Sequence, residues 1–114
     1  MHELSLIQSV LDITVEHAEK HQCERVLSLK LSFGRLANIE PGSLRFAFEV
    51  QSRGTKAEGA TLELAMLPVI IHCFSCGKNS ELNEYASTCP CCNSTEVTLS
   101  GGMEELKFLE MEAE

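Results

Sequence analysis

The strongest constraint on this chain is a run of 22 residues, His72 to Asn93 (HCFSCGKNSELNEYASTCPCCN), which carries Cys73 and Cys76 and then Cys89 and Cys92. The two CxxC pairs are separated by twelve residues. Each pair sets two sulfurs on one tight turn, and a loop of that length can fold the second turn back against the first. Four converging thiolates suit tetrahedral Zn(II), with metal–sulfur bonds of about 2.3 Å. Gly77 follows the first pair and Asn93 the second. Both accept the left-handed backbone that lets N–H groups turn toward sulfur. Iron in a rubredoxin-like site uses the same four-thiolate geometry, and paired cysteines also form disulfides. Disulfides require an oxidising compartment, whereas the start of the chain, MHELSLIQSV, has no basic stretch and no long apolar run of an export signal. The expectation is structural zinc on Cys73, Cys76, Cys89 and Cys92, with Cys91 a spare, outward thiol.

A chain of 114 residues suits one small core and a metal-stapled module, not two independent cores. The expected division is a discontinuous α/β domain, 1–67 with 100–114, and a zinc-binding module, 68–99. Hydrophobic residues make up 44%, too many for a disordered chain. No stretch approaches the roughly 18 continuous apolar residues of a membrane span. The net charge is −8, and between Pro68 and Leu99 the only basic residue is Lys78, against Glu81, Glu84 and Glu96. Zinc ribbons that hold nucleic acid do so with Lys and Arg on phosphate, so a nucleic-acid partner is not expected.

Along the rest of the chain the periodicities are mostly plain. From Leu4 to His21 the residues Leu4, Ile7, Val10, Leu11, Val15 and Ala18 recur at helical spacing. His17 and His21 stand four apart and could share a metal. With no third ligand nearby in sequence, a solvated helix face is the plainer reading. Arg25 to Phe33 alternates as a strand, with Leu27, Leu29, Leu31 and Phe33 on one face. Glu40 to Gln51 fits a strand (Leu44, Phe46, Phe48, Val50) about as well as a helix (Leu44, Ala47, Phe48, Gln51). Pro41 at a first helical position favours the helix without deciding it. Ala60 to Met66 alternates up to Pro68, Glu96 to Leu99 is a short strand, and Met103 to Met111 is a last extended segment. The cysteine module is thus expected as an insertion between two strands of one sheet.

The other informative spot is Met1-His2-Glu3. A free α-amine, the next backbone nitrogen and the His2 imidazole can close adjacent chelate rings on one metal. Such nitrogen-rich, near-planar donation suits Ni(II) or Cu(II), and Glu3 adds a backbone nitrogen or a carboxylate. No nucleophile–base pairing or glycine-rich phosphate loop is evident, so the chain does not read as an enzyme. A protein-binding zinc-ribbon adaptor and an iron electron carrier remain alternatives on the residues alone.

MHE at the start, FGRLANIEPGSLRFAFE (Phe33 to Glu49), RGTKAEGATLEL (Arg53 to Leu64) and the paired CxxC motifs together resemble the HypA/HybF family of nickel metallochaperones in [NiFe]-hydrogenase maturation. The resemblance runs from Met1 to about Met111. It implies an α+β fold, two helices on a small mixed β-sheet with an inserted zinc-ribbon-like module, and so implies that Glu40 to Gln51 is a helix. It implies His2 as principal nickel ligand with Met1, through its amine, and Glu3 in support. It also implies zinc on the four paired cysteines. The implied partners are a hydrogenase-maturation GTPase and the hydrogenase large-subunit precursor, with urease accessory proteins for members that also serve urease. The implied setting is the cytoplasm, with no membrane partner, and a monomer and a domain-swapped homodimer both stay open. One departure stands out. Some members carry histidines just after the CxxC pairs, where this chain has Gly77-Lys78 and Asn93; its nearest histidine is His72, before the first pair.

Overall fold

The computed structural model describes residues 3–114, in the order α1 (Glu3–Lys20), β1 (Val26–Gly34), α2 (Pro41–Gln51), β2 (Thr61–Leu67), β3 (Val69–Cys73), β4 (Asn79–Leu82), β5 (Val97–Gly101) and β6 (Lys107–Ala113). The fold is α+β. Two compact units divide the chain: Met1–Ser32, Ile39–Ala65 and Leu106–Glu114 form the first, and Phe33–Asn38 with Met66–Glu105 the second.

In the first unit α1 buries Ile7, Val10, Leu11, Thr14 and Ala18, a stripe of three- and four-residue steps. Thr14 is fully buried without cost to its hydroxyl, which donates to the Val10 carbonyl at 2.7 Å. Leu4, expected on the stripe, is exposed. The helix ends in a Schellman motif. Gln22 takes a left-handed φ of 58°, its N–H reaches the Glu19 carbonyl at 3.1 Å, and the Cys23 N–H reaches Ala18 at 2.8 Å.

The ambiguous segment is a helix. Glu40 caps it, its carboxylate accepting the Gly42 and Ser43 N–H groups at 3.0 Å, and Pro41 occupies the first turn, where no N–H is missed. Leu44, Ala47 and Phe48 are buried, while Phe46 and Val50, which only a strand would have buried, face outward.

The sheet of this unit has the order β2-β1-β6. β6 is antiparallel to β1, pairing Val26 with Ala113, Leu29 with Met111 and Ser32 with Lys107. The Val26 N–H donates to Lys56 ahead of β2 at 2.8 Å, and the Arg35 N–H donates to Leu67 at its end at 2.9 Å. β1 and β2 therefore run in the same direction, joined through α2, and the sheet is mixed. Alternation puts Leu29, Leu31 and Phe33 in the core, but Leu27 is exposed and Val26 takes its place. The ladder slips between Val26 and Ser28, so Leu27 is the extra residue of a bulge and turns outward.

The second unit has its own antiparallel sheet, β4-β3-β5, with β3 in the centre pairing Ile71 with Ser80 on one side and with Leu99 on the other. Val69, Ile71 and Cys73 alternate inward along β3. The second unit runs on past β5 to Glu105. Gly101 pairs with Ile70, and the chain beyond it hydrogen-bonds to the returning 33–38 segment. There the Gly34 N–H donates to the Glu104 carbonyl at 2.9 Å and the Leu36 N–H to Gly102 at 2.7 Å.

Candidate metal centre

Two knuckles of matching design carry the cysteines. In the first, the Cys73 N–H donates to the Lys78 carbonyl at 3.0 Å and the Gly77 N–H to the Cys73 carbonyl at 2.9 Å. In the second, Cys89 donates to Ser94 at 2.9 Å and Asn93 to the Cys89 carbonyl at 2.8 Å. Each turn closes through a left-handed residue, Gly77 at φ 76° and Asn93 at φ 64°. The reversal aims backbone donors at sulfur: the Cys76 N–H lies 3.4 Å from Cys73 Sγ, and the Cys91 N–H 3.4 Å from Cys89 Sγ.

The four sulfurs lie within 4.8 Å of one another. Cys73 and Cys92 approach to 3.6 Å, and Cys76 and Cys89 to 3.7 Å, in both cases across the knuckles. A tetrahedron with sulfurs about 2.3 Å from its centre has edges of about 3.8 Å. The spacing and the donor chemistry thus fit a tetrahedral ion that prefers sulfur. Cys73 and Cys89 are buried and Cys76 and Cys92 exposed, so each knuckle offers one inner and one outer sulfur.

Bringing four thiols together splits their acidities. The Cys92 N–H, with the Cys91 N–H behind it, holds the Cys89 thiol down to about 6. The Cys76 N–H likewise lowers Cys73. Cys92 feels the Ser94 N–H most strongly, a lowering influence, but the Cys73 sulfur, burial and the two remaining thiols outweigh it and push Cys92 up to about 12. For Cys76 the Lys78 N–H also lowers, and burial together with Cys73 and Cys89 reverses the sign. Four negative sulfurs at this separation need a cation among them.

Cys91 is exposed and stands outside the cluster, as does His72. His72 sits on β3 with its Nδ1 2.7 Å from Asn79 Oδ1 and its ring edge-on to Phe74. Sequence reasoning missed Ser75 and Ser94, whose hydroxyls meet at 2.8 Å and tie one knuckle to the other. Nothing in the spacing of two serines nineteen apart in sequence marks such a bridge.

Of the residues expected to hold nickel, Met1 and His2 lie outside the described residues. Glu3 opens α1, and its carboxylate accepts the Glu40 N–H at 3.3 Å, which brings the first turn of α1 to the cap of α2. Its own N–H and then that of Glu40 hold the carboxyl below the usual range.

The sequence model of the family described as "Hydrogenase/urease nickel incorporation, metallochaperone, hypA" matches residues 1–113. The chain belongs to the HypA family. It is 48% identical to the hydrogenase maturation factor HypA of Syntrophus aciditrophicus and 38% identical to the hydrogenase maturation factor HybF of Morganella morganii, each over the full length of both chains. Its fold is similar to the solution structure of the Ni metallochaperone HypA from Helicobacter pylori, with a TM-score of 0.63 at 23% identity, covering 99% of this chain and 97% of that one. The chain is thus a nickel-incorporation metallochaperone of hydrogenase maturation and not an enzyme. Among the described residues no helix is long and apolar enough to cross a membrane.

Proposed function

We propose that this HypA-family chain binds Ni(II) at its N-terminus and hands it, with a GTPase partner, to the hydrogenase large-subunit precursor in the cytoplasm, while Cys73, Cys76, Cys89 and Cys92 hold a structural zinc. The observation that carries the reading is the closed four-sulfur cluster. All four donors converge on one centre, so an ion held there has no open position and no reason to leave. Cargo needs a separate site. Among the described residues no other group of three or more His, Cys, Asp and Glu donors converges, which directs attention to Met1-His2-Glu3. There the Met1 amine, adjacent backbone nitrogens and the His2 imidazole make a near-planar chelate, with Glu3 completing it through its own nitrogen or carboxylate. Nitrogen donors near solvent favour Ni(II) and permit release.

Zinc, when bound, supplies folding energy and no chemistry of turnover; the residues around it orient sulfur and hold the knuckles closed. The net charge of −8, with Lys78 the one basic residue from Pro68 to Leu99, favours protein partners over nucleic acid. The word "urease" in the family description supports extending the cargo route to urease accessory proteins.

Titration of Ni(II) into native-terminus protein, wild type against His2→Ala, tests the reading. Loss of binding in His2→Ala with unchanged zinc content by elemental analysis is the expected outcome. A His2→Ala protein that binds nickel as tightly as wild type overturns the N-terminal site.

A further inference from the structure

The far end of α1 carries a second arrangement of metal donors, one that the nickel-incorporation role does not use. His17 and His21 are both exposed, one helical turn apart, with ring centres 6.2 Å apart and planes inclined by 20°. The turn between them is intact, for the His21 N–H donates to the His17 carbonyl at 3.1 Å. His21 is the last residue before the left-handed Gln22, so the Schellman motif fixes the backbone carrying the second ring. That motif is held with glutamine where glycine would be easier, which costs about 1 kcal/mol at such a position and shows how firmly the end is determined.

We infer that His17 and His21 form a second, labile binding site for an aquated borderline divalent cation, with the two imidazoles as its protein donors. With metal–nitrogen bonds of about 2.0–2.1 Å, one ion holding both imidazoles places their ring centres at most about 6.5 Å apart. That limit holds only with the two nitrogens on opposite sides of the ion; at adjacent positions the centres come to about 4.5–5.2 Å. From the observed 6.2 Å the stacked rings must therefore turn and draw together by about 1 Å or more, a side-chain movement on an open helix surface. Imidazole pairs select Ni(II), Cu(II) and Zn(II) over Mg(II) and Ca(II), which take oxygen ligands. Water fills the remaining positions, because no third His, Cys, Asp or Glu donor converges there among the described residues. Such a site exchanges its ion quickly and suits capture, in contrast to the closed cysteine cluster. Glu16, Glu19 and Glu24, all exposed nearby in sequence, add negative potential that raises the local cation concentration. At a rise of about 1.5 Å per residue, His17 lies about 21 Å and His21 about 27 Å along the chain from Glu3, too far to share an ion with the N-terminus.

The site does not depend on the N-terminal reading, and its test is made without that site. Zinc-loaded His2→Ala protein is titrated with Ni(II) chloride and followed by NMR, alongside the same protein carrying His17→Ala or His21→Ala. Paramagnetic broadening is expected first at His17, His21 and the intervening residues, saturating with added ion. Either further substitution should weaken that event about tenfold or more, since half the protein donors are gone. Both positions are exposed on a helix surface, so circular dichroism should show all three proteins folded alike. Broadening centred elsewhere, or His17→Ala and His21→Ala each leaving the other ring's binding unchanged, overturns the chelate. Tight residual binding centred near Glu3 shows that the N-terminal site does not need the His2 imidazole, and without broadening at His17 and His21 it overturns the chelate as well.

Discussion

Gly34 is the position where the smallest possible change should do disproportionate harm. A methyl group there would fall inside contact distance of the Gly102 carbonyl carbon and oxygen and of the Glu104 carboxylate. The carboxylate can swing aside, at the loss of its 2.9 Å bond from the Gly102 N–H, but the backbone cannot. Two backbone bonds run through the same spot, Gly34 to Glu104 at 2.9 Å and Leu36 to Gly102 at 2.7 Å. Overpacking costs about 1–3 kcal/mol, and each displaced hydrogen bond about 0.5–1.5 kcal/mol. Restricting the unfolded chain returns only about 0.4–1 kcal/mol. Gly34→Ala should therefore destabilise by about 2–5 kcal/mol. The assay is urea unfolding of zinc-loaded protein by circular dichroism, with Gly54→Ala as comparison. Gly54 has a left-handed φ of 76° but open space around it, so alanine there meets only the backbone penalty of about 1–2 kcal/mol. If Gly34→Ala unfolds at the same urea concentration as Gly54→Ala or higher, the close approach of the two strand ends is not what holds the segment.

Replacing any one of Cys73, Cys76, Cys89 or Cys92 by Ser should release zinc and unfold residues 66–105, because structural zinc supplies about 10–16 kcal/mol of folding energy in small zinc domains. Cys91→Ser should keep its metal, and elemental analysis with hydrogen exchange distinguishes the two outcomes. Loading the metal-free protein with zinc at pH 7 should release protons, Cys76 and Cys92, both raised, among their sources. Calorimetry in buffers of different ionisation enthalpy reads that number, and zinc affinity should fall as pH is lowered. The Glu3 carboxyl is lowered by its own N–H and that of Glu40, so its contribution to stability is full above the ordinary carboxylate value and is lost as pH falls through the lowered one. The difference in melting temperature between wild type and Glu3→Gln should accordingly hold steady above pH 4.5 and shrink as pH falls below it.

Local chemistry made much of this fold readable in advance. Gly77 and Asn93 announced the knuckles because few residues accept a positive φ, and the Cys spacing announced the cluster because sulfur donors must converge. Glu40 to Gln51 was undecided on periodicity, since Leu44 and Phe48 satisfy both two- and four-residue repeats; what settles it is the cap formed by Glu40, an interaction of three residues and not a pattern. β3 and β4 passed unnoticed because their pairing depends on the loop that the cysteines close. Leu27 misled, because a bulge is set by the partner strand and leaves no mark in its own alternation. The Ser75–Ser94 bridge is of the same kind, legible only once both knuckles are in place.

The closest sulfur contacts run between knuckles and not within them, and that matters most when the metal is missing. Cys89, largely a thiolate at neutral pH, faces Cys76 at 3.7 Å, and the lowered Cys73 faces Cys92 at 3.6 Å. A thiolate beside a thiol is the pair that an oxidant such as dioxygen converts to a disulfide, two electrons passing to the oxidant and the remaining thiol giving up its proton. The metal-free chain is thereby predisposed first to a crosswise bond from Cys76 to Cys89, with Cys73 and Cys92 standing ready to follow, which would lock the knuckles together in their folded arrangement while removing all four sulfurs of the cluster as donors. For anyone handling the protein, reductant present before metal is added decides whether the four sulfurs remain a binding site or become a sealed one.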